Sequence, residues 1–328
     1  MAKKRVVSGM RPTGPLHLGN LHGALANWKE MQDTYDCFFF IADWHALTSD
    51  YEDPSRVLEY NRQMMIDWLS VGLSSEKSTL FVQSHIKEHS ELYLLLGMIT
   101  PVPWLERNPT YKDQVVQLAE KDLSTYGFLG YPVLQAADII MYKAHGVPVG
   151  IDQVPHVEIT REIARRFNYF YGSVFPEPQA ILTPTPKILG LDNRKMSKSY
   201  QNAIFLSDSS DDIAKKTSTM VTDPQRQRKS DPGDPEVCNV FSFHKMYSGP
   251  ATVESINAEC RTAQIGCVQC KKLMAKNLAE FLGPVHEKRL YFEQHPDEVD
   301  AAIEHGDAKA RAVAAQTLEE VRRAMKIA

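Results

Sequence analysis

Short apolar segments alternate with longer amphipathic ones through the first 82 residues, and this restricts the fold more than any other feature. Val6 and Val7 read as a buried strand ending in Ser8-Gly9, and a turn with Pro12 and Gly14 follows. Helical spacing then runs from Leu18 to about Gln32. Phe38–Ile41 is a second strand candidate, followed by Asp43-Trp44-His45. Ser55 to Val71 is helical in its spacing of Val57, Leu58, Met64, Met65 and Trp68, and Thr79–Val82 is a third strand, ending in Gln83-Ser84. This order predicts parallel strands joined by right-handed crossovers.

Leu94–Ile99 and Lys112–Leu118 look helical and interrupt the sheet as an insertion. Pro132 to Tyr142 reads as a further helix, and Val147–Val149 as a strand ending in Gly150-Ile151-Asp152-Gln153. Beyond about residue 200 the strand signal fades, and Leu273–Leu282 and Ala308–Met325 are amphipathic at three- and four-residue spacing. The expected architecture is a doubly wound parallel α/β, Rossmann-like nucleotide-binding domain with a helical insertion over residues 1–200. An α-helical domain over 201–328 follows it.

With 43% hydrophobic and 24% charged residues the chain has the make-up of an ordinary globular protein. Its apolar runs, such as Cys37–Ala42, are far shorter than the roughly 20 residues of a membrane span. The basic start is followed by no long apolar segment, so no secretory signal is read and the cytoplasm is the expected location. A net charge of -4 argues against whole-surface binding of polyanions such as DNA. It leaves room for a local basic cluster at Lys215, Lys216, Arg226, Arg228 and Lys229.

Two segments carry chemistry. Ser8 to Asn20 joins the first strand to the first helix, where a parallel sheet usually binds ligands and a helix start offers free N–H groups to phosphate. His17 and Asn20, three apart, share one face of the first turn and can donate to phosphates. In Asn193-Arg194-Lys195-Met196-Ser197-Lys198-Ser199 two lysines stand three apart in a polar loop, suited to meeting a leaving pyrophosphate.

His-Leu-Gly-Asn at 17–20, paired with Lys-Met-Ser-Lys-Ser about 180 residues later, resembles the two signature motifs of the class I aminoacyl-tRNA synthetases. The first motif departs at its last place, where Asn20 replaces the usual histidine, as is common in the tryptophan branch. Tyr131-Pro132-x-x-x-Ala136-Ala137-Asp138-Ile139 and Val147-Pro148-Val149-Gly150-Ile151-Asp152-Gln153 resemble the tryptophan and tyrosine members, and the tryptophan pattern matches best. Val157–Glu162 and Glu320–Met325 also look like the family, so the resemblance covers nearly the whole chain.

The resemblance implies ATP-dependent activation of tryptophan and its transfer to tRNA(Trp), with magnesium on the ATP phosphates and a two-fold dimer. Lys195, Lys198, Lys112, His17 and Asn20 then stabilise the reacting phosphates. Arg11, Pro12, Thr13, Gly19, Gly150, Ile151, Asp152, Ile188, Met196, Ser197 and Ser199 line the ATP site, with Gly150 and Asp152 on the ribose. Arg11 stands where the family often has glutamine. Asp138 accepts the indole N–H, and Gly9, His45, Tyr131, Gln135 and Gln153 complete the pocket; Gln135 replaces an apolar residue of better-known bacterial members. A buried acceptor discriminates because a substrate without the donor leaves it unpaired. The rival expectations are a tyrosine-specific member and a non-catalytic sensor of tryptophan or tRNA. The intact lysine signature argues against the second.

Cys37 sits in an apolar stretch and reads as core. Cys238, Cys260, Cys267 and Cys270 are spaced C-x21-C-x6-C-x2-C. Disulfides are not expected in a cytoplasmic enzyme. Four thiolates can hold zinc or a [4Fe–4S] cluster. A subset of bacterial tryptophan members looks similar here and carries such a cluster beside the anticodon-binding region, with a first spacer one residue longer. Arg261, Lys271, Lys272 and Lys276 lie in the same segment, placed for cluster sulfurs or RNA phosphates.

Overall fold

The computed structural model describes residues 3–117, 122–182 and 188–327, so Leu118 of the expected helix Lys112–Leu118 lies outside the described residues. Five parallel strands, β1 (Arg5–Met10), β2 (Asp36–Ile41), β3 (Ser78–Val82), β4 (Gly146–Val149) and β5 (Gln179–Leu182), form one sheet in the order β3-β2-β1-β4-β5. β1 pairs with β2 over six residues from Arg5↔Asp36 to Met10↔Ile41. The β2 and β3 strands are almost entirely buried, which is why Cys37–Ile41 and Leu80–Val82 read as apolar runs. β5, half-exposed at one edge, has no such run and was not among the expected strands.

The crossover after β1 departs from one continuous helix. Helical turns Leu18–Asn20 and Ala26–Met31 flank a π-helical stretch, Leu21–Leu25, that contains Gly23. Glycine weakens a helix, and π turns tend to gather near functional sites. Between β3 and β4 the insertion carries, among the described residues, the α-helices Glu88–Gly97, Val102–Glu106, Pro109–Gln117 and Tyr126–Ile140.

The chain divides otherwise than by a cut after residue 200. One compact unit comprises 1–14, 24–185 and 295–328, and the other 15–23 and 186–294. The reason lies at the β3 edge, which needs a cover. Helix Pro296–Met325 supplies it, and Ala310, Ala314, Leu318 and Val321 join the core of Phe38, Phe81 and Tyr142. The approach is close enough that a Cβ on Gly306 would stand 1.7 Å from the Leu80 carbonyl oxygen. Beside it, the Val82 N–H donates to Asp307 at 3.2 Å, and His85 meets the same carboxylate at 2.6 Å.

In the second unit Leu16–Leu18 pairs with Ile204–Leu206, through Leu18 N–H to the Ile204 oxygen at 3.0 Å and Leu206 N–H to the Leu16 oxygen at 2.9 Å. The unit also holds helices Ser210–Ser218, Asn239–Tyr247, Pro250–Arg261 and Cys267–Gln294. Among the described residues no helix is long and apolar enough to cross a membrane.

Candidate functional site

Strand order reverses between β1 and β4, and ligands of such sheets settle at the carboxyl ends beside that point. Arg11–Thr13 follow β1, Asp43–His45 follow β2, Gln83 follows β3 and Gly150–Gln153 follow β4. Gly9 is needed for packing as well as for any ligand, since a Cβ there would stand 2.4 Å from the Phe40 ring.

Asp138, on helix Tyr126–Ile140, is wholly buried. Its Oδ1 accepts from Gln83 Nε2 at 2.8 Å and His89 Nδ1 at 2.6 Å. Its Oδ2 accepts from His45 Nε2 at 2.7 Å and Gln83 Nε2 at 2.9 Å. Burial pushes the carboxyl pKa up, but the His45 and His89 hydrogen bonds outweigh it and leave it below the usual range. Gln83 is oriented in turn, because its Oε1 accepts the Trp44 N–H at 3.1 Å. Asp43 pins the same turn by accepting from Asn61 Nδ2, Ser84 Oγ and the Trp44 and Ser84 amides.

Tyr131 is buried and its hydroxyl lies 3.2 Å from His156 Nε2. Asn108 Nδ2 stands 3.2 Å from His156 Nδ1 and donates to it. Burial, then the charge of His45, lowers the His156 pKa to about 4, so the ring is neutral near pH 7. Tyr131's own pKa is raised, mainly by burial. Gln135 is half-buried. Asp152 accepts from Gln153 Nε2 at 2.9 Å, and its carbonyl accepts from Thr110 Oγ1 at 3.3 Å, tying it to the start of the helix that carries exposed Lys112.

The second unit brings both signature motifs together. Asn20 Oδ1 accepts the His17 N–H at 3.0 Å, which leaves its amide NH₂ as the donor end. His17 Nδ1 is buried without a hydrogen-bond partner among the described residues. Burial, then Lys198 and Lys195, lower the His17 pKa to about 4. Gly19 makes room for that imidazole, since a Cβ would lie 2.8 Å from its Cε1. The lysine signature hangs from a tight hairpin in which Leu189 bridges Lys195, Met196 N–H donates to the Ile188 oxygen at 3.0 Å, and Asn193 takes φ 67°. Asn202 staples it by accepting the Ser197 N–H at 2.8 Å and donating to Asp192 at 2.7 Å. Met196 is buried as the anchor, while Lys195 and Ser199 are exposed.

Sequence reasoning gave no role to Gln83, His89, His156 or Asn202. Gln83 carried a signal, because it ends a strand at the ligand-binding edge. His89 carried none, being one polar residue in an otherwise ordinary helix.

The four clustered cysteines are all free thiols and line one small cavity with Thr222, Arg226, Val240 and Ile265. Cys238 caps helix Asn239–Tyr247, Cys260 lies in the last turn of Pro250–Arg261, and Cys267 and Cys270 open Cys267–Gln294. Arg226 Nη1 approaches Cys260 Sγ at 3.6 Å, its Nε is buried without a partner among the described residues, and His244 Nε2 lies 3.4 Å from Cys270 Sγ. Among the described residues no three His, Cys, Asp or Glu side chains stand at separations suited to one metal ion. Cys37, by contrast, is wholly buried core.

The family model described as tRNA synthetases class I (W and Y) matches residues 2–283. A tryptophan–tRNA ligase of Thermotoga maritima is 54% identical over 325 residues, which is 98% of this chain and 99% of that protein. One from Aquifex aeolicus is 45% identical, covering 98% of this chain and all of its own. Among solved structures, tryptophanyl-tRNA synthetase of Campylobacter jejuni complexed with ADP and tryptophan superposes with a TM-score of 0.91 at 32% identity, covering 98% and 99% of the two chains. With both signature motifs and a doubly wound parallel sheet in the one chain, it belongs to the class I aminoacyl-tRNA synthetases, in the family of tryptophan–tRNA ligases.

Proposed function

We propose that this aminoacyl-tRNA ligase reads tryptophan through Asp138 and handles the ATP phosphates with the two signature motifs of its second unit. The observation that carries the reading is Asp138, a carboxylate kept ionised in full burial beside His45, His89 and Gln83. It is an acceptor-only group, suited to an indole N–H. The first unit also contributes Gly9 and Gln153 to the amino acid, and Arg11, Pro12, Thr13, Gly150, Ile151 and Asp152 to the nucleotide, with the Asp152 carboxylate facing vicinal ribose hydroxyls.

The tryptophan carboxylate attacks the α-phosphate of ATP and pyrophosphate leaves. A terminal ribose hydroxyl of tRNA(Trp) then takes the aminoacyl group. No protein nucleophile is required. Lys195, Lys198 and Lys112 meet the charge that builds on pyrophosphate, His17 and Asn20 donate to phosphate oxygens, and magnesium accompanies ATP. Neutral His17 donates through one ring nitrogen, and its unpartnered buried Nδ1 is consistent with a role completed by substrate.

Cys238, Cys260, Cys267 and Cys270 would hold a [4Fe–4S] cluster, with zinc as the other group four thiolates accept. The support is chemical, because all four cysteines line one cavity and Arg226 supplies a cation beside Cys260, while their present separations would have to close around the group. The cluster would tie three helices of this helical, anticodon-binding part of the second unit together. Exposed Leu94, Met98, Val102 and Tyr126 offer an apolar face for a two-fold dimer. The cytoplasm is the proposed location.

Pyrophosphate exchange measured with each amino acid separately tests the reading. Exchange with tryptophan alone is expected. Exchange with tyrosine would favour the tyrosine member, and none with any amino acid a sensor.

A further inference from the structure

The Asp138 carboxylate poses a problem that the proposed reading leaves open. A carboxylate offers about four lone-pair sites, and all four contacts of Asp138 are taken by protein donors. The side chain has no exposure at all. An incoming N–H must therefore replace a donor already present.

The three donors are unequal. Gln83 and His89 have no exposure, and each is held from behind. Gln83 is fixed by the Trp44 amide at 3.1 Å. His89 Nε2 lies 2.6 Å from the hydroxyl of Tyr142, itself fully buried. An ionised carboxylate only accepts, so His89 Nδ1 carries a proton and points it at Oδ1. His45 differs, because its side chain retains 10% exposure and it approaches Oδ2.

We propose that a substrate N–H enters by exchanging with His45 at Oδ2, while His89, backed by Tyr142, is the positioning residue that holds Oδ1 and keeps the carboxylate turned toward that exchange. This rests on Asp138 being the indole acceptor and adds how the acceptor is presented. His45 serves as a stand-in donor that keeps the buried charge satisfied until tryptophan arrives. A side chain with no donor at that position cannot displace it without leaving Oδ2 short of a partner, which sharpens selection.

The titratable groups facing Asp138 are His45 from helix Asp43–Leu47 and His89 from helix Glu88–Gly97, with Tyr142 behind His89. Glu88 and Asp307 act at longer range on Tyr142, whose pKa burial raises first and most, so the phenol keeps its proton. Removing the His89 donor must raise the Asp138 pKa, because a hydrogen bond to the charged form is lost.

The test compares His89→Leu, which cannot donate, with His89→Asn, whose amide can replace Nδ1. In His89→Leu the KM for tryptophan should rise about tenfold with the KM for ATP unchanged, and the acid limb of kcat/KM for tryptophan should move up by about one pH unit. His89→Asn should restore both to within about threefold. In the wild-type protein, adding tryptophan should shift the downfield imidazole proton resonance that His45→Gln abolishes, and leave in place the one that His89→Asn abolishes. A His89→Leu variant with normal KM and acid limb, or a His45 resonance indifferent to tryptophan, overturns the exchange. Asp138→Asn with an unchanged KM for tryptophan would instead remove the acceptor reading itself, and the exchange with it.

Discussion

Asp138 and three of the clustered cysteines, Cys238, Cys260 and Cys270, are all acidic groups set in protein, yet their surroundings drive them in opposite directions. Asp138 is surrounded by protein donors, and its pKa falls below the usual range despite complete burial. The thiols are half-buried, and the backbone donors on Cys238 and the guanidinium beside Cys260 do not offset the desolvation. Burial pushes Cys270 up to about 12, and it also raises Cys238 and Cys260, the latter with partial relief from Arg226. The difference lies in who completes the charge. The protein completes the carboxylate by itself, whereas Cys238, Cys260 and Cys270 are held toward the thiol form and would need a cation to become thiolates.

The largest expected effect breaks the first half of this contrast. Asp138→Ala strands three buried donors as well as deleting the acceptor. Tryptophan-dependent pyrophosphate exchange should fall at least about a hundredfold, and stability should drop by about 3 kcal/mol, read by urea unfolding. Loss of exchange with unchanged stability would mean that the donors find other partners.

The second half is sharpened by the Cys267→Ser, Cys270→Ser double variant. Iron should be lost from protein purified without oxygen, aminoacylation of tRNA should fall about tenfold, and tryptophan-dependent exchange should stay within about threefold. The asymmetry follows because the proposed tryptophan pocket lies in the other compact unit, and the lysine signature, though in the same unit as the cysteines, is held by its own hairpin at 188–202. About one zinc and no iron in the parent protein would replace the cluster by a zinc site without touching the activity.

The smallest effect concerns one histidine in each unit. His156 and His17 both titrate near 4, chiefly because they are buried, and so are neutral when folded at pH 7. The unfolded chain binds their protons first, near pH 6.5. Stability is therefore lost as pH falls from about 6.5 toward 4, by roughly 1–2 kcal/mol for each ring. Either His→Gln variant should flatten the stability curve over that window, and parallel curves would show that the rings do not titrate there.

Much of the site was legible because its chemistry is local. The lysine signature occupies five consecutive residues, and the backbone hairpin that presents it depends on neighbours at 188–202. Asp138 and its donor His45 were both singled out by the resemblance, but the donors Gln83 and His89 were not. They come from positions near a strand end and a helix start, and no periodicity joins them to Asp138. Gly19 was expected to favour a nucleotide, and the imidazole of His17 accounts for it at least as directly.

What the sequence determined by itself was the parallel sheet, the two signature motifs and the set of four cysteines, because strand burial and contiguous motifs depend on residues close in the chain. Only the tertiary structure decided the ownership of the C-terminal helix. Its apolar spacing announces a face to be covered and cannot say by what. Gly306 and Asp307 settle that against Leu80 and Val82, where the absence of one Cβ admits the backbone and one carboxylate caps an amide more than 200 residues away. Such partners are chosen by shape and unpaired polar groups in three dimensions, and those are fixed only when the chain has closed on itself.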